Sequence, residues 1–110
     1  MSTEMAESKV RLAMVEAGRS LDLRGWVMGT SGNLSARLDD GTVLITASGK
    51  HKGRLTLDDF VAVGRAGETR KPSAELTIHE VVYRATPDVR AVVHAHSVAS
   101  TAAPCPRFWR

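Results

Sequence analysis

Two imidazoles stand two residues apart in the run Ala91-Val92-Val93-His94-Ala95-His96-Ser97. The run is apolar and rich in β-branched residues, the composition of a strand. On a strand, residues i and i+2 face the same way, whereas on a helix His94 and His96 would point about 200° apart. A strand therefore lets both rings address one cation. Zinc suits neutral imidazole, and a catalytic zinc site combines three protein ligands with one open position. Only two of the three are visible here. A pair of hydrogen-bonded histidines on a half-buried strand explains the same residues, so neighbouring stretches must decide.

A candidate proton carrier lies upstream. Lys71-Pro72-Ser73-Ala74-Glu75 opens a helix whose Ile78, Val81, Val82 and Ala85 are spaced to face a core, and Thr86-Pro87 ends it. Ser73 is the expected N-cap, which puts Glu75 in the first turn, where the helix dipole favours a carboxylate. That is a structural explanation of Glu75. The chemical one is that it projects toward the metal strand and moves a proton on a metal-polarised substrate. His79, one turn later on the same face, reads as a packed or hydrogen-bonded helix histidine rather than a ligand.

Two further stretches have the composition of oxyanion loops. Gly29-Thr30-Ser31-Gly32-Asn33 brackets hydroxyl residues with glycines, which permits positive φ and lets backbone N–H groups converge on an anion. Ala47-Ser48-Gly49-Lys50-His51-Lys52-Gly53 repeats the theme with two lysines and a histidine. A plain loop and a solvated basic loop remain the competing readings.

These residues need elements to position them. Ala6, Val10, Ala13, Met14, Ala17 and Leu21 predict an amphipathic helix over Glu4 to Leu21, lying on one face of a sheet. Asn33 to Leu38 and Thr42 to Thr46 predict strands joined at Asp39-Asp40-Gly41, a hairpin signal. Thr56 and Asp59 suggest a short capped helical turn, and Phe60 to Val63 a further strand. At 110 residues the chain amounts to a single domain. With 43% hydrophobic and 25% charged residues it is neither disordered nor a membrane protein. Cys105 is the only cysteine, which excludes an internal disulfide and a cysteine zinc site. A net charge of +3, spread out and poor in aromatic neighbours, excludes a nucleic-acid footprint. The first residues have no signal-peptide pattern, so a cytoplasmic location is expected.

Taken together, Gly29 to Ser35, Thr46-Ala47-Ser48-Gly49, Pro72-Ser73-Ala74-Glu75 and Val93 to Ser97 resemble the class II aldolase/adducin family in type, order and spacing. The resemblance runs from the first helix to about Thr101. Within the family, Ile45 to Gly53 and Lys71 to Glu75 are most similar to the branch that dehydrates methylthioribulose-1-phosphate in methionine salvage. The fuculose-phosphate aldolase branch tends to have a second serine where this chain has Ala74.

The resemblance implies an α/β (α+β) fold: a central, mainly antiparallel sheet flanked by helices in three α/β/α layers. It implies Zn2+ held by His94 and His96, Glu75 as general acid/base, and a phosphate pocket of Gly32, Asn33, Ser48, Gly49 and Ser73, with Ala74 offering backbone only. The activity it implies is a metal-dependent lyase (hydro-lyase) on a small sugar phosphate, in a homo-oligomer, a tetramer, with no nucleic-acid or membrane partner. A class II sugar-phosphate aldolase of the fuculose-phosphate type and a non-catalytic adducin-like interaction module are the alternatives. The retained His94, His96 and Glu75 argue against the module.

The chain also departs from the family. The third zinc histidine lies well downstream, and only fourteen residues follow His96. Residues 102–110 lack the apolar helix pattern expected there. The expectation is a C-terminally truncated or frame-shifted chain, with an incomplete fold and zinc site and impaired activity.

Overall fold

The computed structural model describes residues 3–96. The tail over 102–110, Cys105 included, lies outside the described residues. Helix α1 spans Thr3–Leu23. Strands β1 (Asn33–Arg37), β2 (Val43–Thr46) and β3 (Phe60–Ala62) follow, then helix α2 (Leu76–Ala85) and strand β4 (Ala91–His94). A 3-10 turn at Lys52–Arg54 separates β2 from β3. The strands form one sheet in the order β3-β2-β1-β4, every neighbouring pair antiparallel. Two helices and a four-stranded antiparallel sheet make this an α+β fold, as expected. Among the described residues no helix is long and apolar enough to cross a membrane.

Strand alternation sorts the sheet into two faces. Leu34 and Ala36 of β1, Leu44 of β2, and Phe60 and Ala62 of β3 pack with Met14 and Val15 of α1. Val10, Ala17 and Leu21 extend that contact. Ala13, expected on this stripe, is exposed, and Val15 is buried in its place. On the opposite face Ile45 and Val61 cluster with Ala47, and Leu76 of α2 packs against them. The helices therefore lie against opposite faces of the sheet.

Helix α2 corrects an expectation. Ile78 is 56% and Val81 53% exposed and Ala85 is exposed, while His79 and Tyr83 are buried. The cause lies in β1, whose Asn33, Ser35 and Arg37 turn polar side chains toward α2. Buried polar groups require partners, and His79 and Tyr83 supply them through Ser35 Oγ, 2.6 Å from His79 Nδ1 and 2.7 Å from the Tyr83 hydroxyl.

Two local predictions also shift. Ser73 is not the cap of α2: the helix begins at Leu76 with Glu75 at the N-cap, and the Ser73 hydroxyl accepts from the Glu75 N–H at 3.3 Å. Thr56 to Asp59 is a turn, not a helix. Half of the capping box survives: Asp59 Oδ2 accepts from the Thr56 N–H at 2.8 Å, while the Asp59 N–H reaches the Thr56 carbonyl at 3.1 Å rather than its hydroxyl.

Candidate active site

Strand β4 delivers the first histidine. It pairs with β1 in a register that sets His94 opposite Asn33. The strand ends there, and His96 lies just beyond it, its N–H held by the Trp26 carbonyl at 2.8 Å. Their side chains still face together, with ring centroids 4.8 Å apart and planes at 52°.

Glu75 comes to the same place from the start of α2. His94 Nδ1 donates to its Oε2 at 2.5 Å, both side chains being partly exposed. Burial opposes the Glu75 charge. The hydrogen bond from Asn33 and the charge and bond of His94 outweigh it, holding the carboxyl below its ordinary pKa. An orienting carboxylate on one nitrogen of a metal-binding imidazole is a recurring device, because it leaves the other nitrogen as the ligand atom. Among the described residues no three His, Cys, Asp or Glu side chains converge as a cation's ligand set. His94 and His96 thus fit two positions of a zinc site and require a third ligand from elsewhere.

The two glycine loops meet beside these groups. One cavity of about 240 Å³ is lined by Gly32 and Asn33 from the first loop and Ser48 and Gly49 from the second. Ser73, Ala74 and Glu75 add the helix entry, and His96 closes the wall. Every residue expected in the phosphate pocket therefore lines one cavity, together with Glu75 and one candidate zinc ligand. His94 stands behind Glu75, joined to it by the hydrogen bond. The second loop and the helix entry are brought together by backbone pairing: the Ser73 N–H donates to the Thr46 carbonyl at 3.0 Å and the Ser48 N–H to the Lys71 carbonyl at 2.9 Å.

The basic loop divides its charges. Lys50 reaches Asp59 at 3.5 Å, and the His51 ring accepts from the Gly53 N–H at 3.1 Å with its other nitrogen 3.9 Å from Asp22. Neither lines the cavity. Lys52 does: it is 2% exposed, and its ammonium donates to the carbonyls of Thr30 at 2.9 Å and Lys50 at 2.7 Å. Burial pushes its pKa down. The basic composition hinted at an anion, but not at which cation turns inward. Two of its determinants are distant in sequence: the Thr30 carbonyl, and Gly18 of α1, where a β-carbon would come 2.3 Å from the Lys52 carbonyl oxygen.

Known proteins resemble this chain in sequence and in fold. The model for the class II aldolase and adducin N-terminal domain matches residues 12–107. The chain belongs to the class II aldolase and adducin family. The methylthioribulose-1-phosphate dehydratase of Methylococcus capsulatus is 55% identical over 91 residues, covering 80% of this chain and 45% of that protein. The enzyme of the same name from Microcystis aeruginosa is 48% identical over 98 residues, covering 83% of this chain and 48% of the relative. This member of the family thus spans about half the length of the curated relatives it matches. Among solved structures, YgbL of Klebsiella pneumoniae superposes with a TM-score of 0.82 at 39% identity, over 92% of this chain and 50% of that one. The L-fuculose-1-phosphate aldolase of Thermus thermophilus does so with a TM-score of 0.73 at 36% identity, over 86% and 50%. Homology thus connects this chain with dehydratases and aldolases, which are lyases.

Proposed function

We propose that this chain carries the phosphate-gripping and proton-moving part of a zinc-dependent dehydratase, a hydro-lyase that acts on methylthioribulose-1-phosphate in methionine salvage. The observation that carries the reading is the position of Glu75, bonded to His94 and bordering the cavity that both glycine loops line. The similarity to two dehydratases of that name supports the choice of substrate.

His94 and His96 would hold zinc with a third ligand from outside the described residues. When bound, zinc supplies a Lewis acid that draws electrons from the ketose carbonyl. Backbone N–H groups at Gly32 and Gly49, the Asn33 amide and the hydroxyls of Ser48 and Ser73 take the phosphate, while Ala74 offers backbone alone. Gripping the remote phosphate spends binding energy on placing the reacting carbons. Glu75 then removes the proton from the carbon next to the carbonyl. The electron pair of that C–H bond becomes a double bond to the next carbon as its hydroxyl leaves, taking the proton back as water. The resulting enol rearranges to a diketo-methylthiopentyl phosphate.

A second reading, the fuculose-phosphate aldolase, is favoured by the superposition on the Thermus enzyme. It would break a carbon–carbon bond at the same site. Ala74, which cannot offer a second hydroxyl, counts against it.

The test incubates the purified chain with zinc and the ketose phosphate. The diketone phosphate is expected while zinc is supplied in excess, with turnover lost in Glu75→Gln. Release of a triose or glycolaldehyde phosphate would favour the aldolase. No diketone phosphate at saturating zinc, or turnover without Glu75, overturns the reading.

A further inference from the structure

Behind Glu75 runs a buried chain of polar groups, of which the proposed chemistry uses only Asn33. The Tyr83 hydroxyl lies 2.7 Å from Ser35 Oγ, and Ser35 Oγ lies 2.6 Å from His79 Nδ1. His79 Nε2 bonds Asn33 Oδ1, and Asn33 lines the same cavity as Glu75, whose charged form its amide favours. Tyr83, Ser35, His79 and Asn33 are each at most 4% exposed. The chain crosses from the last turn of α2, through β1, to the carboxylate at the first turn of the same helix.

The chemistry of the groups sets the direction of every hydrogen. An ionised carboxylate only accepts, so Asn33 must turn its NH2 toward Glu75 and present Oδ1 to His79. An amide oxygen also only accepts, so His79 Nε2 carries the hydrogen. Nδ1 of a neutral ring then accepts from the Ser35 hydroxyl, which in turn accepts from Tyr83. A neutral ring matches its surroundings: burial disfavours the charged form, and the nearby Glu75 carboxylate does not outweigh that.

We propose that His79 is a positioning residue: as a neutral imidazole with its hydrogen on Nε2, it locks the Asn33 amide so that the NH2 group faces Glu75. A flipped amide would set two acceptors against each other on one side, Oδ1 toward the carboxylate, and two donors against each other on the other side, NH2 toward the Nε2 hydrogen. His79 therefore decides whether the carboxylate meets a donor. The functional half of the inference rests on Glu75 being the working carboxylate of the proposed dehydratase; the tautomer and the amide orientation stand apart from that.

The first measurement uses the unaltered full chain, labelled with 15N, and reads the histidine ring nitrogens by NMR at pH 7. His79 is expected with a protonated Nε2 and a bare Nδ1. A hydrogen on Nδ1 alone, or a charged ring, overturns the proposal. The second compares two variants of similar polarity. In His79→Gln the amide nitrogen reaches the place of Nε2 and can still donate to Asn33. In His79→Asn the side chain reaches only the place of Nδ1, so that donor is lost. Exchange protection of the Asn33 side-chain NH2 is expected to stay within about twofold in His79→Gln and to fall about tenfold or more in His79→Asn. Equal loss in both, or in neither, means that His79 merely fills space, and the proposal fails. Where turnover is present, kcat should follow the same split. Absence of turnover in the unaltered chain counts against the dehydratase alone, because both NMR readings still decide His79.

Discussion

Gly32 stands against the backbone of His94 so closely that a β-carbon there would lie 2.9 Å from the His94 carbonyl oxygen and 2.7 Å from Cγ1 of Val27. Its φ is +79°, in the left-handed region. Gly49, across the cavity, has a similar φ of +76° but nothing within 4 Å of a β-carbon. The two glycines separate backbone strain from close approach. Gly49→Ala should cost about 1–2 kcal/mol, the ordinary penalty for a left-handed non-glycine residue. Gly32→Ala should cost more, because the overlap falls on a strand carbonyl that cannot swing away, and it should disturb the bond between His94 and Glu75. Urea denaturation of both variants checks this. Equal losses would show that the close approach is relieved without cost.

Lys52 makes a different prediction, because its two partners are backbone carbonyls, one from each cavity loop. Lys52→Met keeps the length of the side chain and leaves both carbonyls without their donor, at about 1–3 kcal/mol of stability. It also removes a cation from the cavity wall. Binding of inorganic phosphate, followed by titration calorimetry, should weaken about tenfold or more. Lys52→Arg should not restore it, since a planar guanidinium does not fit where an ammonium is enclosed. Unchanged phosphate affinity in Lys52→Met would show that the charge does not reach the anion.

What the sequence made legible follows from how local each feature is. The hairpin at Asp39-Asp40-Gly41 is closed by its own residues, with the Leu38 N–H on the Thr42 carbonyl at 2.8 Å and the Thr42 N–H on Asp40 Oδ1 at 2.9 Å. The shared orientation of His94 and His96 was legible from strand periodicity, although β4 ends at His94 and the Trp26 carbonyl holds the His96 N–H beyond it. The glycine loops were legible from their composition. The inward face of α2 was illegible because counting apolar residues selects Ile78, Val81 and Ala85. That helix lies on Asn33, Ser35 and Arg37, an alternation in β1 that read alone looks like a solvent face. His79 and Tyr83 are buried because those strand groups need hydrogen-bond partners, a requirement that appears only once strand and helix meet. Likewise the Ser73 hydroxyl serves a turn before the helix, since the Thr46 carbonyl takes the Ser73 N–H and delays the start of α2 to Leu76.

Arg37 fastens the other end of α2. Its guanidinium lies 4.9 Å from the centre of the Tyr83 ring and donates to the carbonyls of Tyr83 at 3.0 Å, Thr86 at 3.3 Å and Val89 at 2.6 Å, and also to that of Pro87. These carbonyls belong to the last turn of the helix and the link to β4, where a cation also meets the negative end of the helix dipole. Arg37→Ala should destabilise the fold by about 2–4 kcal/mol, several charge-assisted bonds being lost at once. Arg37→Lys should recover less than half of that, because an ammonium lacks the planar fork. The urea midpoints of the three proteins give the comparison. A fully stable Arg37→Lys would reduce the role of Arg37 to its charge.

Glu68 supplies a pH dependence of known sign. Its carboxylate accepts from the Arg70 guanidinium Nε at 3.1 Å and from the Ala62 N–H at 2.8 Å. Arg70 first, and then the Ala62 N–H, pull its pKa from 4.5 down to about 2. The folded carboxyl is therefore the stronger acid, and on acidification the unfolded chain takes up the proton first. The stabilisation is complete above about pH 4.5 and is lost as the pH falls toward 2. Arg70 is 41% exposed, so solvent screens the pair and the plateau contribution is about 1 kcal/mol. Relative to Glu68→Gln, the unaltered chain should hold a constant advantage between pH 7 and 5, which shrinks steadily below 4.5 and vanishes near 2. Urea titrations at several pH values measure that difference. A difference that stays constant down to pH 2 would mean that the charge of Glu68 contributes nothing to holding the end of β3.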